Sequence, residues 1–192
     1  PLITMAGTTP SGDTCIAPAF AGKHDCLIIH HDLYYQDIFF PSAAHFDEPA
    51  AFDIVFFSEH LNLLQSGQPS DFPIYNFPTH IRLAETKVFK PQKLIIVEGI
   101  LTLAAPQIAE QGDVHIFVDA PDDIRLARRL QRDVVERGRN VEGVLTQYMT
   151  TDRPMHFLHV LPSKSQAEIV LNGVVPREDS VGQMEQLLTE KG

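Results

Sequence analysis

Residues 1–14 read PLITMAGTTPSGDT, and the order of parts in that stretch decides the fold. A short apolar run ends at Gly7. A turn with a second glycine, Gly12, and then the hydroxyl of Thr14 follow. A continuous apolar run bounded by glycine is the pattern of a parallel strand buried on both faces. Glycines at this spacing before a helix let backbone N–H groups close around a phosphate at the helix N-terminus. The spacing is that of a phosphate-binding loop, G-x-x-x-x-G-K-[ST], in which the hydroxyl ligates Mg²⁺. One position departs from it: Asp13 stands where the pattern has lysine.

Working outward, four more short apolar runs recur: CLIIHHD (26–32), KLIIVEG (93–99), VHIFVDA (114–120) and EIVLNG (168–173). Helical periodicity falls between them. Residues 47–65 place Phe52, Val55, Phe56, Leu63 and Leu64 on one stripe, with Pro49 suited to the first turn and Gly67 to the stop. Residues 122–137 and 180–191 read as two further helices. The helix after the first loop, interrupted by Pro18 and Gly22, has room for about two turns. Strands alternating with helices predict an α/β fold with a doubly wound, parallel five-stranded sheet. Residues 68–91 break the alternation. Four prolines and the pieces FPIYNF and ETKVFK predict a β-hairpin insertion over the mouth of the sheet. A single domain over 1–192 is expected, with 133–150 as a lid region.

The chain has 192 residues, 44% of them hydrophobic, enough for a packed core. With 25 acidic against 15 basic residues its net charge is −10, which argues against nucleic acid or an anionic membrane as a partner. A basic cluster between Arg125 and Arg139 nevertheless suggests a small-anion site. Cys15 and Cys26 are expected to be small buried residues rather than a disulfide. No signal peptide or apolar run of membrane-spanning length is visible, so a cytoplasmic protein is expected. Ligands of such sheets bind beyond the carboxyl ends of the strands. Residues 7–14, His31 with Asp32, Glu98 with Gly99, and Asp119 should therefore share one crevice.

The stretches HHDLYYQD (30–37), HFDEPAAFD (45–53), FPIYNFPTHIR (72–82), LIIVEGILTL (94–103), FVDAPDDIRLARRLQRDVVERGR (117–139), QYMTTDRPMH (147–156) and PSKSQAEIV (162–170) follow in order. Together they resemble the uridine–cytidine kinases, within the wider family that includes phosphoribulokinase. The resemblance runs from residue 1 to about residue 173. It implies phosphorylation of a pyrimidine nucleoside, uridine or cytidine, at its 5′-hydroxyl, with ATP or GTP as donor and Mg²⁺ as cofactor. Asp32 matches the carboxylate that takes the hydroxyl proton. Asp47 matches the residue that holds the ribose hydroxyls. Tyr75, Phe77 and His80 match the pyrimidine pocket, and Arg139 and Gln147 match further nucleoside contacts. Arg129, Arg132 and Arg137 match the helix and lid over the transferring phosphates. Gly7, Gly12, Asp13 and Thr14 match the donor loop, and Glu98, with Thr14, matches the Mg²⁺ side of the site. Members of the family are commonly tetramers, which implies a homo-oligomer.

Asp13 sets the donor half against the acceptor half. Two unit charges roughly 5 Å apart at an effective dielectric of about 20 interact by about 3 kcal/mol. Exchanging attraction for repulsion therefore costs on the order of 6 kcal/mol, roughly 10⁴-fold in binding or rate before relaxation. Two functions are compatible with that conflict: a working nucleoside kinase, or a catalytically impaired relative that binds a nucleoside or nucleotide. A kinase for a sugar phosphate fits less well, because YNFPTHIR matches the nucleoside group.

Overall fold

The computed structural model describes residues 1–7, 13–37 and 47–191, except the side chains of Asp13 and Thr14. Its strands are β1 (Leu2–Gly7), β2 (Leu27–His30), β3 (Ser70–Asn76), β4 (Ile81–Phe89), β5 (Ile95–Glu98), β6 (Val114–Asp119) and β7 (Ile169–Asn172). Five of them form one parallel sheet in the order β2-β5-β1-β6-β7, and β3 and β4 form a separate antiparallel hairpin. The chain moves from β1 out to β2, returns beside β1 as β5, and crosses to its other side as β6. Its direction of winding reverses at β1, and such a reversal opens a crevice at the strand ends.

All six residues of β1 are buried, as a central parallel strand requires. Their period of two splits the core between the faces of the sheet. Ile3 and Met5 pack with Ile16, Ala17 and Phe20 of α1 (Asp13–Ala21) and with Val181 and Met184 of the last helix (Arg177–Lys191). Leu2 faces the other way. It joins Ile29, Ile95 and Val97 in packing with Phe57, Leu61 and Leu64 of α2 (Ile54–Gln65) and with Phe72 of the hairpin. α1 is nine residues long with Pro18 inside it, about the length the sequence allows.

The second helix differs from its expected form. It begins at Ile54, not at residue 47, because the Asp53 side chain accepts the N–H of Phe56 and caps it there. Pro49–Ala51 form only a 3₁₀ turn. The buried face is Phe57, His60, Leu61 and Leu64, and Val55 is 63% exposed. The expected stripe was therefore rotated about the helix axis. Gly67 does close the end, at φ 82°. Cys15 is exposed and Cys26 half-buried, so Cys15 is not the buried residue the composition suggests; both are free thiols.

Phe72 anchors β3 in the core, and one polar side chain ties down β4. Arg82 donates from Nε to the Tyr35 carbonyl (2.9 Å) and from Nη2 to the Tyr34 carbonyl (3.1 Å), and its Nη1 pairs with Asp53 (3.1 Å). Its backbone N–H donates to Asp37 (2.7 Å). β4 is otherwise mostly exposed, so little apolar burial holds this strand. Arg82→Ala should therefore lower stability by about 2–3 kcal/mol, the scale of lost charge-assisted hydrogen bonds. It should also speed proteolytic cutting between residues 77 and 80. Urea unfolding with limited proteolysis measures both, and wild-type behaviour in both would remove Arg82 from this role.

Candidate active site

A crevice of about 1960 Å³ lies beyond the carboxyl ends of β2, β5 and β7. Its floor comes from the strand ends. β2 runs into a 3₁₀ turn (His31–Tyr34) that presents Asp32 to the opening, while His31 and Tyr34 turn inward and are buried. His31 stacks on Phe52 with ring centroids 3.7 Å apart, and burial lowers its pKa to about 3, so it is a neutral packing group. Asp32 is exposed to the crevice but ringed by protein, and desolvation raises its pKa. β5 ends at Glu98, which is 5% exposed. One Glu98 oxygen meets His30 Nδ1 at 2.6 Å, and this bond holds the imidazole above its usual range. The other oxygen, Oε2, is buried and has no hydrogen-bond partner among the described residues. Gly99 is required next. Its φ is 154°, and a Cβ there would lie 2.5 Å from that of His31.

The wall is a long helical run. After the short α3 (Pro106–Ala109), α4 (Asp122–Leu130) passes into a π turn (Gln131–Glu136). After Gly138, at φ 66°, α5 (Val141–Gln147) continues into a second π turn (Tyr148–Asp152). Each π turn ends a regular helix and carries a buried aspartate, Asp133 and Asp152. Irregular turns of this kind recur at functional sites. Asp133 is 1% exposed and gathers four guanidiniums: Arg132 at 2.9 Å, Arg139 at 3.3 Å, Arg137 at 3.5 Å and Arg129 at 3.7 Å. Burial pushes its pKa up, but the arginines outweigh this and hold it below the usual range. One carboxylate shared by several arginines leaves this wall positive. Arg139 also donates to Gln147 Oε1 at 2.7 Å. Arg129 pairs on its far side with Asp152 at 2.6 Å.

Asp47, Phe77 and His80 close the crevice from the hairpin side. The four-residue hairpin loop turns at His80, whose φ is 56°, a left-handed geometry that histidine tolerates better than most residues. Burial and the nearby Asp152 carboxylate push the Asp47 pKa up to about 7, against Arg129 and Arg132. Tyr75 is buried one layer behind, edge-on to Phe77 with centroids 5.1 Å apart.

Of the expected site residues, the crevice brings together Asp32, Asp47, Phe77, His80, Glu98, Arg129, Arg132, Arg137, Arg139 and Gln147. Gly7 ends β1. Gly12 and the side chains of Asp13 and Thr14 lie outside the described residues. Asp119 is not in the crevice lining, contrary to the reading from strand ends, because Lys164 takes it at 2.6 Å. Sequence reading missed Asp133 and Asp152 as individual groups. Their signal was present only as an acidic residue inside each of two basic or polar helical stretches.

The model of the phosphoribulokinase/uridine kinase family matches residues 35–180. The chain belongs to this family. A curated uridine kinase of Chloroflexus aurantiacus is 39% identical over 180 residues, covering 90% of this chain and 86% of that protein. One from Shewanella sp. (strain ANA-3) is 40% identical over 182 residues, covering 88% and 86%. In fold, the chain resembles phosphoribulokinase from Rhodobacter spheroides, with a TM-score of 0.66 at 14% identity over 88% of this chain and 68% of that one. The sheet and helices are those of the P-loop kinases. Among the described residues, no helix is long and apolar enough to cross a membrane.

Asp47 makes the ligand-free protein sensitive to pH. A carboxyl that holds its proton more tightly when folded stabilises the fold below its unfolded value, here 3.8. That stability is lost as pH rises through the folded value of about 7. Urea midpoints should therefore fall between about pH 4 and 7 and level off above that, and Asp47→Asn should flatten the fall. An equal slope in the variant would contradict the shift.

Proposed function

We propose that the protein is a pyrimidine nucleoside kinase that transfers the γ-phosphoryl group of ATP or GTP to the nucleoside 5′-hydroxyl. The supporting observation is one crevice that holds Asp32, Asp47, His80 and the arginines of 129–139, in a chain 39% identical to a curated uridine kinase. Asp47 accepts hydrogen bonds from the ribose hydroxyls. Phe77 covers the base, and His80 and Arg139 read its polar edge. Asp32 accepts the 5′-hydroxyl proton as the oxygen attacks phosphorus, and desolvation, which raises its pKa, makes it a stronger base for that task. Arg132 and Arg137 reach the transferring phosphoryl group, whose negative charge they stabilise.

The site fits a Mg²⁺ ion that arrives with the nucleotide. Glu98 Oε2 is a buried carboxylate oxygen without a hydrogen-bond partner among the described residues, and Glu98 with Thr14 would hold the ion. The described residues contain no cluster of three ligating side chains, which suits an ion bound mainly by water and phosphate. When bound, it neutralises phosphate charge.

Asp13 favours a second reading, a relative that binds nucleoside but transfers phosphate poorly. Its carboxylate stands where the family pattern places the lysine for the β- and γ-phosphates. Calorimetry with uridine and with ATP–Mg²⁺ separates the two. Uridine should bind, and Asp47→Ala should abolish most of that affinity, because the ribose hydroxyls lose their acceptor. ATP–Mg²⁺ should bind more weakly than micromolar. Asp13→Lys should then raise phosphotransfer to uridine by orders of magnitude, and should do nothing in an Asp32→Ala background. Ordinary kinase turnover by the wild type would show that Asp13 is no lesion. An inert Asp13→Lys protein that still binds uridine would place the defect in the short α1.

A further inference from the structure

Asp152 is a carboxylate for which neither the fold nor the proposed chemistry has an evident need. It is 8% exposed, lies on the second π turn, and borders the acceptor end of the crevice. Its position has two consequences. The first concerns Arg129. Among the described residues, three of the arginines gathered at Asp133 have no other carboxylate in ion-pair range, but Arg129 also reaches Asp152, its Nη2 lying 2.6 Å from Oδ2. That guanidinium is the one nearly buried arginine of the group and is held between two aspartates. The second consequence concerns Asp47, which feels the Asp152 charge more than any other. The wall where ribose hydroxyls are expected therefore carries two carboxylates and an arginine already neutralised.

The Arg129–Asp152 contact is an ion pair at 2.6 Å. Among the described residues, Oδ2 receives no well-aligned hydrogen bond. A buried acceptor in this state needs a donor, and a ligand hydroxyl supplies one. A phosphate cannot. It would bring charge against Asp47 and Asp152 and find Arg129 already taken.

We propose that Asp152 is a specificity-determining residue: it holds Arg129 and joins Asp47 as a second hydroxyl acceptor, so the pocket takes an uncharged polyhydroxyl acceptor and rejects one phosphorylated at those hydroxyls. This rests on the nucleoside reading for the identity of the acceptor. The role of Asp152 does not.

Calorimetry at pH 8 and constant ionic strength tests it with uridine, uridine 3′-monophosphate and inorganic phosphate. Wild-type protein should bind uridine at least about 100-fold more tightly than the 3′-monophosphate. Asp152→Asn should narrow that gap by about tenfold, through weaker uridine and stronger 3′-monophosphate binding. It should also strengthen inorganic phosphate binding, because Arg129 is released. Asp152→Glu, which keeps the charge, should preserve the gap. Should Asp152→Asn not fold, Asp152→Ser removes the same charge and carries the same comparison. A folded neutral variant with an unchanged gap and unchanged phosphate affinity would overturn the proposal. If uridine binds neither protein, the nucleoside reading fails. The phosphate comparison still decides for Asp152, and no gain in the neutral variant would refute its hold on Arg129.

Discussion

The parallel pairing of β1 with β5 on one side and β6 on the other carries the whole site. Met5 stands level with Glu98 across one ladder and Gly7 with Val118 across the other. Because parallel strands run the same way, their carboxyl ends finish together and every loop that follows opens on the same edge. β2 pairs with β5 so that His30 is level with Glu98. That register allows their side chains to meet at 2.6 Å and leaves Asp32 two residues further on, at the mouth. A shift by one residue would turn every side chain of β1 to the opposite face and break both halves of the core.

The walls depend on charge balance. Asp133, buried to 1% exposure, is surrounded by guanidiniums. A lone buried charge would be costly, but one that is paired several times is held firmly. It gathers long, flexible side chains at one point of the crevice and so preorganises a positive wall. Asp32 and Glu98 stand at the strand ends, while Asp152 lies on the helical wall itself, against Arg129 and near enough to Asp47 for their charges to interact. The raised pKa values of Asp32, Asp47 and Asp152 reflect the opposite condition, carboxyls that protein has stripped of water without full compensation. The crevice thus brings arginines and poorly compensated carboxylates together at one opening. Asp13 departs from the phosphate-loop pattern at the sequence level, where that pattern has lysine.

Much of this was legible in the sequence, for a local reason. Each of the five parallel strands is a short apolar run, and all five fall where the runs are; burial on both faces leaves the central strands no other pattern, and the half-buried edge strands β2 and β7 share it. The proline-rich stretch could only be a hairpin insertion or a loop, and it is β3 and β4. The errors came where a local signal had a competitor. Pro49 is a good first-turn residue, but Asp53 also caps, and the cap at Asp53 sets where α2 starts. Cys15 reads as a small apolar residue, but it points away from the sheet on a helix whose inward face is Ile16, Ala17 and Phe20. Asp119 ends a core strand as Glu98 does, yet Lys164, 45 residues later, occupies it.

The sequence by itself determined the strand and helix alternation, the family to which the chain belongs, and the presence of Asp13 in the phosphate loop. These rest on residue type and spacing, which are properties of the chain before it folds. Tertiary structure alone decided which charges meet. Asp133 and Asp152 lie 19 positions apart and look like ordinary polar residues of two helices. Only the packing of those helices puts Arg129 between the two carboxylates and sets Asp152 against Asp47. Electrostatic energy depends on distance and burial rather than on order along the chain, so the proton affinity of Asp47 and the neutralisation of Arg129 become readable only once the fold is formed.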